Sequence, residues 1–94
     1  MIGIVATITI KDGENEGFEA AAGKLVEAVR ANEPNCTLYA LHKKDDTTYV
    51  FMERYTDWDA VEHHRGTEHF KTLGRAMGPF MAGAPDVIRM EEVG

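Results

Sequence analysis

The second half of the chain is arranged around residues 63–81, which are His-His-Arg-Gly-Thr-Glu-His-Phe-Lys-Thr-Leu-Gly-Arg-Ala-Met-Gly-Pro-Phe-Met. This stretch holds three of the four histidines and continues into apolar residues spaced three and four apart, which indicates one apolar helix face. Thr67 is placed to cap that helix, and Gly66 lets a preceding helix end. His64 and His69 therefore flank a break between two helices, beside an apolar surface.

Histidines in this position suit proton abstraction from an apolar substrate, because their pKa lies near working pH. We take His64 as the candidate catalytic base, and His69 as a second proton acceptor or an orienting group. Both also have structural interpretations: His64 as a residue favoured at a helix C-terminus, His69 as a first-turn residue bonded to the preceding loop. The two are five residues apart across a glycine, which is not the i, i+4 spacing of helical zinc ligands, so we expect no metal site.

The rest of the chain alternates between strand and helix patterns. Residues 2–10 are β-branched and alternating, with Ile2, Ile4, Ala6, Ile8 and Ile10 on one side. Residues 15–32 have a helical apolar stripe formed by Phe18, Ala22, Leu25, Val26 and Val29. Residues 36–43 and 48–55 predict a hairpin with its turn at Asp45-Asp46.

A broken helical region and a final strand complete the pattern. Thr56 or Asp57 should cap a helix that carries Trp58 and Val61 toward the core and ends near Arg65. The next helix runs from Glu68 to about Met81, with a kink or an early end at Gly78-Pro79. Residues 86–93 predict the last strand.

This element order predicts a ferredoxin-like α+β sandwich, also called a split βαβ fold. We expect one domain spanning residues 1–94, with an antiparallel sheet and the helices on one of its faces. The other sheet face also carries apolar residues, and a chain of 94 residues has nothing left to cover it. A homodimer with its sheets packed face to face, a dimeric α+β barrel, is the expected solution.

Composition excludes several function classes. The net charge of −6 and the pI near 5.1 argue against nucleic acid or an anionic membrane as the main partner. The N-terminus lacks the basic region of a signal peptide, and no apolar run has the length of a membrane span. The single cysteine, Cys36, is expected to be a small buried hydrophobe in a protein of the reducing cytoplasm.

Three segments of the chain resemble a known protein family. They are residues 30–36 (Arg-Ala-Asn-Glu-Pro-Asn-Cys), residues 53–55 (Glu-Arg-Tyr) and residues 60–70 (Ala-Val-Glu-His-His-Arg-Gly-Thr-Glu-His-Phe). The family is that of the antibiotic biosynthesis monooxygenase (ABM) domain, which includes small quinol monooxygenases, and residues 60–70 are similar to its pattern A-L-x-x-H-x-x-S-x-H-F. His64 matches the first family histidine, Thr67 the serine, and His69-Phe70 the final pair. The resemblance covers essentially the whole chain.

The resemblance implies oxygenation of a phenol, anthrone or hydroquinone by dioxygen without metal, heme or flavin. Such a reaction needs a dry pocket for a flat ring, a base, and donors for the developing anion. The expected substrate-pocket residues are Thr7, Tyr49, Phe51, Trp58, Phe70, Met77 and Phe80.

Two further hypotheses stay open. One is an isomerase- or lyase-like enzyme of the same fold acting on a small polar metabolite, with Arg54, Arg65 and Arg89 as candidates to hold an anion. The other is a non-catalytic ligand-binding dimer whose pocket is filled by side chains.

Overall fold

Four strands and three α-helices make up the computed structural model, which describes residues 1–94. The elements are β1 (Ile2–Thr9), α1 (Asn15–Asn32), β2 (Cys36–Asp45), β3 (Thr48–Tyr55), α2 (Trp58–Gly66), α3 (Glu68–Met77) and β4 (Asp86–Glu91), with a 3₁₀ segment at Gly78–Phe80. α1 has the predicted bounds, while β4 ends two residues before the predicted Val93. β2 continues to Asp45, so the hairpin turn falls on Asp46-Thr47.

The sheet has the strand order β2-β3-β1-β4, and every neighbouring pair is antiparallel. α1 and the α2–α3 pair lie on the same face of this sheet. This arrangement confirms the ferredoxin-like α+β sandwich. In register, Ile4 of β1 lies between Glu53 of β3 and Arg89 of β4, and Tyr39 of β2 is opposite Glu53. These four residues form one row across the sheet, on the face that the helices cover.

The alternation of β1 separates its two faces as predicted. Ile2, Ile4, Ala6, Ile8 and Ile10 are all buried against the helical layer. The five stripe residues of α1 are buried with them, at 9% exposure or less. The same parity turns Tyr49, Phe51, Glu53 and Tyr55 of β3 inward. Glu53 is therefore the one carboxylate among the otherwise aromatic inward-facing residues of β3.

Side-chain caps fix the helix ends around residues 57–67. The Asp57 carboxylate accepts from the backbone N–H of Ala60 at 2.8 Å, and the Thr67 hydroxyl accepts from that of Phe70 at 3.3 Å. Both caps confirm the sequence interpretation. α3 ends at Met77, because Pro79 cannot continue an α-helical ladder.

Trp58 was wrongly expected to point into the core. Its side chain stands at the first turn of α2 and remains 44% exposed, whereas Val61, three residues later, is buried. Residues three apart share a face only approximately, and the narrow apolar face of this short helix is centred on Ala60, Val61 and His64.

The opposite face of the sheet carries large apolar side chains that the chain leaves exposed. They are Leu38, Met52, Ile88 and Met90, each between 43% and 50% exposed.

No helix of the structure combines the length and apolar character that crossing a bilayer requires.

Candidate active site

A cavity of about 290 Å³ lies between the sheet and the α2–α3 corner. Its volume is at the lower end of ordinary small-ligand pockets. Ten of its 18 lining residues are hydrophobic. The walls include Ile4, Ala6, Phe51, Val61, Phe70, Met77 and Val87. The polar exceptions are His64 and Glu53, which are buried, and four cationic side chains, which are exposed.

His64 is the buried histidine of the cavity wall, with only 4% of the residue exposed. Its Nδ1 lies 2.9 and 3.0 Å from the two carboxylate oxygens of Glu33, which is itself 4% exposed. Burial lowers the pKa of His64, although the hydrogen bond to Glu33 and its charge oppose that shift. The imidazole is therefore held in its neutral, basic form at neutral pH.

Glu33 also binds the second histidine, because its Oε2 lies 2.5 Å from His69 Nε2. An ionised carboxylate can only accept hydrogen bonds, so both facing ring nitrogens must donate. His64 is then protonated at Nδ1, and its Nε2 carries the lone pair. A carboxylate that fixes the tautomer of a histidine in this way is a recurring arrangement for general bases.

The ring of His64 is also held by its surroundings. Its centroid lies 4.4 Å from that of Phe70 and 5.4 Å from those of Tyr39 and Tyr55. Thr67 anchors the backbone, since its hydroxyl donates to the His64 carbonyl at 2.8 Å while it caps α3. The helix break thus positions both the histidine and the first turn of α3.

Glu53 is a second titratable group of the cavity. Burial, together with the nearby charge of Glu33, raises its pKa to about 7, against the opposing effects of the Tyr55 hydrogen bond and of Arg89. The Tyr55 hydroxyl donates to Glu53 Oε1 at 2.6 Å. Burial, with the charge of Glu53 next, also raises the pKa of Tyr39, another wall residue. The Tyr39 phenol therefore stays protonated and available as a donor.

The outer part of the cavity is lined by cationic side chains. Arg65 ends α2, Lys71 and Arg75 lie one turn apart on α3, and Arg89 lies on β4. Arg65 pairs with Glu62 at 3.3 Å, whereas the other three form no ion pair. We call these four residues the cationic rim.

The structure places the predicted pocket residues in three different environments. Phe51, Phe70 and Met77 line the cavity. Tyr49 is buried at the other end of the core, where its ring centroid lies 4.8 Å from that of Phe18 in a tilted arrangement and its hydroxyl is hydrogen-bonded to Asn15 and Glu19. Phe80 packs on Gly17, where an added Cβ would lie 2.4 Å from its ring.

Thr7 and Trp58 lie away from the cavity. Thr7 belongs to the β1 residues that alternate with the buried set, so it is on the uncovered sheet face. Trp58 is at the exposed start of α2. His69 contacts the cavity only through Glu33 and His64, and Arg54 is on the uncovered face, paired with Glu92.

Sequence reasoning gave no role to Glu33, Glu53 or Tyr55. Glu53 had a usable signal, because it interrupts the inward-facing row of Tyr49, Phe51 and Tyr55. Glu33 had no signal beyond its place in the 30–36 segment, since nothing local shows that a residue following α1 will meet a helix thirty residues later. No group of three or more His, Cys, Asp or Glu side chains has the arrangement of a metal site.

The fold and the site together define a small ferredoxin-like α+β protein with a carboxylate-bound histidine in an apolar cavity. The family model described as antibiotic biosynthesis monooxygenase (ABM) matches residues 1–76. The chain belongs to this family, as the sequence comparison of residues 60–70 predicted.

Individual relatives of the chain support the same family assignment. A Bacillus subtilis (strain 168) protein named "Putative monooxygenase YcnE" is 36% identical over 94 residues, covering 97% of each chain. A solved Caulobacter crescentus CB15 structure, described as a "putative antibiotic biosynthesis monooxygenase", is 41% identical with a TM-score of 0.92, covering 99% of this chain and 90% of that one. The Pseudomonas aeruginosa protein PA3566 is 27% identical with a TM-score of 0.85, over 99% and 94% of the two chains. This family membership supports a monooxygenase-like enzyme acting on a small molecule.

Proposed function

We propose that the protein is a cofactor-independent monooxygenase that oxidises a hydroquinone- or anthrone-type ring with dioxygen, using His64 as the base. The observation that carries the proposal is the buried His64 ring, which lines an apolar cavity while Glu33 holds its Nδ1. Family membership supports the reaction class.

The chemistry requires little of the protein beyond a base and an anion-stabilising donor. Nε2 of His64 takes the proton from the phenolic hydroxyl or the acidic ring CH₂, and the resulting electron-rich anion reduces dioxygen. One oxygen atom enters the ring and the other leaves as water with two hydrogens of the substrate. An anthrone CH₂ thus becomes a carbonyl and a hydroquinone becomes a hydroxyquinone, with no external reductant. Tyr39, kept protonated by burial, is placed to donate to the anion.

Oxygen uptake by the purified protein tests this proposal. The substrates are a panel of hydroquinones and anthrones, with a chelator present throughout. We expect enzyme-dependent uptake that survives chelation and falls by roughly 10²–10⁴-fold in His64→Ala, the usual contribution of a general base. His63→Ala is the matched control, because His63 is the exposed neighbour and does not line the cavity.

Unchanged uptake in His64→Ala would remove that residue from the mechanism and move the base to His69. No uptake with any ring would contradict the oxygenase.

An isomerase- or lyase-like reaction is the second candidate, favoured by the two predicted anion-holding residues Arg65 and Arg89 that do line the cavity. It consumes no oxygen. The open cavity does not match the hypothesis of a binding protein with a filled pocket.

We also propose a homodimer that packs the uncovered sheet faces together. The four exposed apolar residues of that face support it, since isolated exposed hydrophobics are ordinary but a contiguous group marks an interface. Sedimentation should give twice the 10.4 kDa chain mass, and Met52→Asp should shift the protein toward monomer. A monomeric wild type contradicts the proposal.

A further inference from the structure

Proton abstraction from an apolar ring does not use the cationic rim of the cavity. Four of the chain's ten Lys and Arg residues line this single opening, although the protein carries sixteen Asp and Glu residues and a net charge of −6. Only one carboxylate, Glu53, accompanies them in the lining. The local charge is thus opposite to that of the whole molecule.

The rim residues come from separate elements, and three of the four converge without an ion-pair partner. Lys71 and Arg75 share one face of α3, because they are four residues apart. Arg89 approaches from β4, across the opening, and Lys71, Arg75 and Arg89 form no ion pair despite the excess of carboxylates. A cleft lined by charges of one sign, with apolar walls, concentrates ligands of the opposite sign.

The sheet register sets the span between the rim and the inner end of the cavity. Glu53 and Arg89 both pair with Ile4, from opposite sides, so they are two strands apart. Strand spacing makes that separation about 10 Å.

We propose that Lys71, Arg75 and Arg89 bind a carboxylate carried by the aromatic substrate, at the end of the ring opposite the hydroxyl that His64 deprotonates. This inference rests on the proposed function for the orientation of the ring. It restricts the substrate class to hydroxyaromatic acids with a small ring system.

Binding of a matched pair of probes tests the proposal without requiring turnover. The probes are 6-hydroxy-2-naphthoate and 2-naphthol, which share the ring and hydroxyl and differ in the carboxylate. We expect calorimetry at low salt to give the acid roughly tenfold tighter binding, as several exposed charge contacts together provide. High salt should reduce this preference, because exposed ion pairs are screened.

The variants Lys71→Gln/Arg75→Gln and Arg89→Gln should reduce the preference toward unity and leave 2-naphthol affinity unchanged. Arg54→Gln is the matched control, because Arg54 is a strand arginine on the other sheet face. The proposal is overturned by equal binding of the two probes, by a preference that survives in the rim variants, or by binding of neither probe. A protein that shows the preference but consumes no oxygen with carboxylated hydroquinones refutes the oxygenase and leaves the anion site standing.

Discussion

At the inner end of the cavity the titratable side chains are buried and paired, whereas at the rim they are exposed and mostly unpaired. Glu33 holds His64 and His69, and Tyr55 holds Glu53. At the rim only Arg65 has a carboxylate partner. The two ends therefore serve different purposes. The inner end fixes the protonation states of its side chains, whereas the rim presents positive charge to a ligand.

The largest combined effect on stability and activity is expected for Glu33→Gln, which disrupts the hydrogen bonds to His64 and His69. It leaves two buried ring nitrogens with an imperfect partner, so we expect a loss of about 1–3 kcal/mol in the free energy of unfolding. Activity should fall as well, because the His64 tautomer is no longer fixed. Glu33 raises the His64 pKa, so the acidic limb of the pH–rate profile should move to lower pH.

Urea unfolding and the pH dependence of kcat/KM measure these changes. Glu62→Gln is the control, since Glu62 is exposed on α2. A Glu33→Gln protein with an unmoved pH profile would show that Glu33 is only a packing residue.

An effect of similar size on stability, but one that depends on pH, is expected for Glu53→Gln. The Glu53 pKa is about 7 in the folded protein against the ordinary 4.5 of a glutamate, so the folded state holds the proton more tightly. Its contribution to the free energy of unfolding is complete below pH 4.5 and is lost as pH rises through about 7, on the order of 3 kcal/mol in all. The glutamine variant imitates the protonated acid, so its free energy of unfolding does not fall in this way as pH rises.

The difference in unfolding free energy between Glu53→Gln and wild type should therefore move in favour of the variant from pH 5 to pH 8. His64 titrates in both proteins and cancels in this difference. Parallel stability curves for the two proteins would contradict a raised Glu53 pKa.

The smallest effect belongs to the rim. Lys71→Ala should change the free energy of unfolding by less than about 0.5 kcal/mol, because the side chain is exposed and unpaired. A loss above about 1 kcal/mol in thermal or urea unfolding would mean that the rim is structural after all, and the contrast between the two ends would disappear.

Local patterns predicted most of the fold. The alternation in β1 and the stripe of α1 each report burial directly, and Thr67 is a cap recognisable from its neighbours. Trp58 was misplaced because a nine-residue helix has too few turns to define its apolar face from hydrophobicity alone.

The site was less predictable, since it is assembled from distant segments. The helix break marked His64, but Glu33 lies 31 residues earlier in the chain and meets it only through the packing of α2 beside the end of α1. The rim likewise joins α3 to β4, and no local pattern shows which exposed cations will share an opening.

The tautomer and pKa of His64 test most directly whether this residue is the base of the cavity. A ¹⁵N NMR titration of the histidine rings measures both. We predict that His64 is protonated at Nδ1 and bare at Nε2, with a pKa below the ordinary 6.5. A proton on Nε2 in the neutral ring, or a pKa above 6.5, would contradict the assignment of His64 as the base of this cavity.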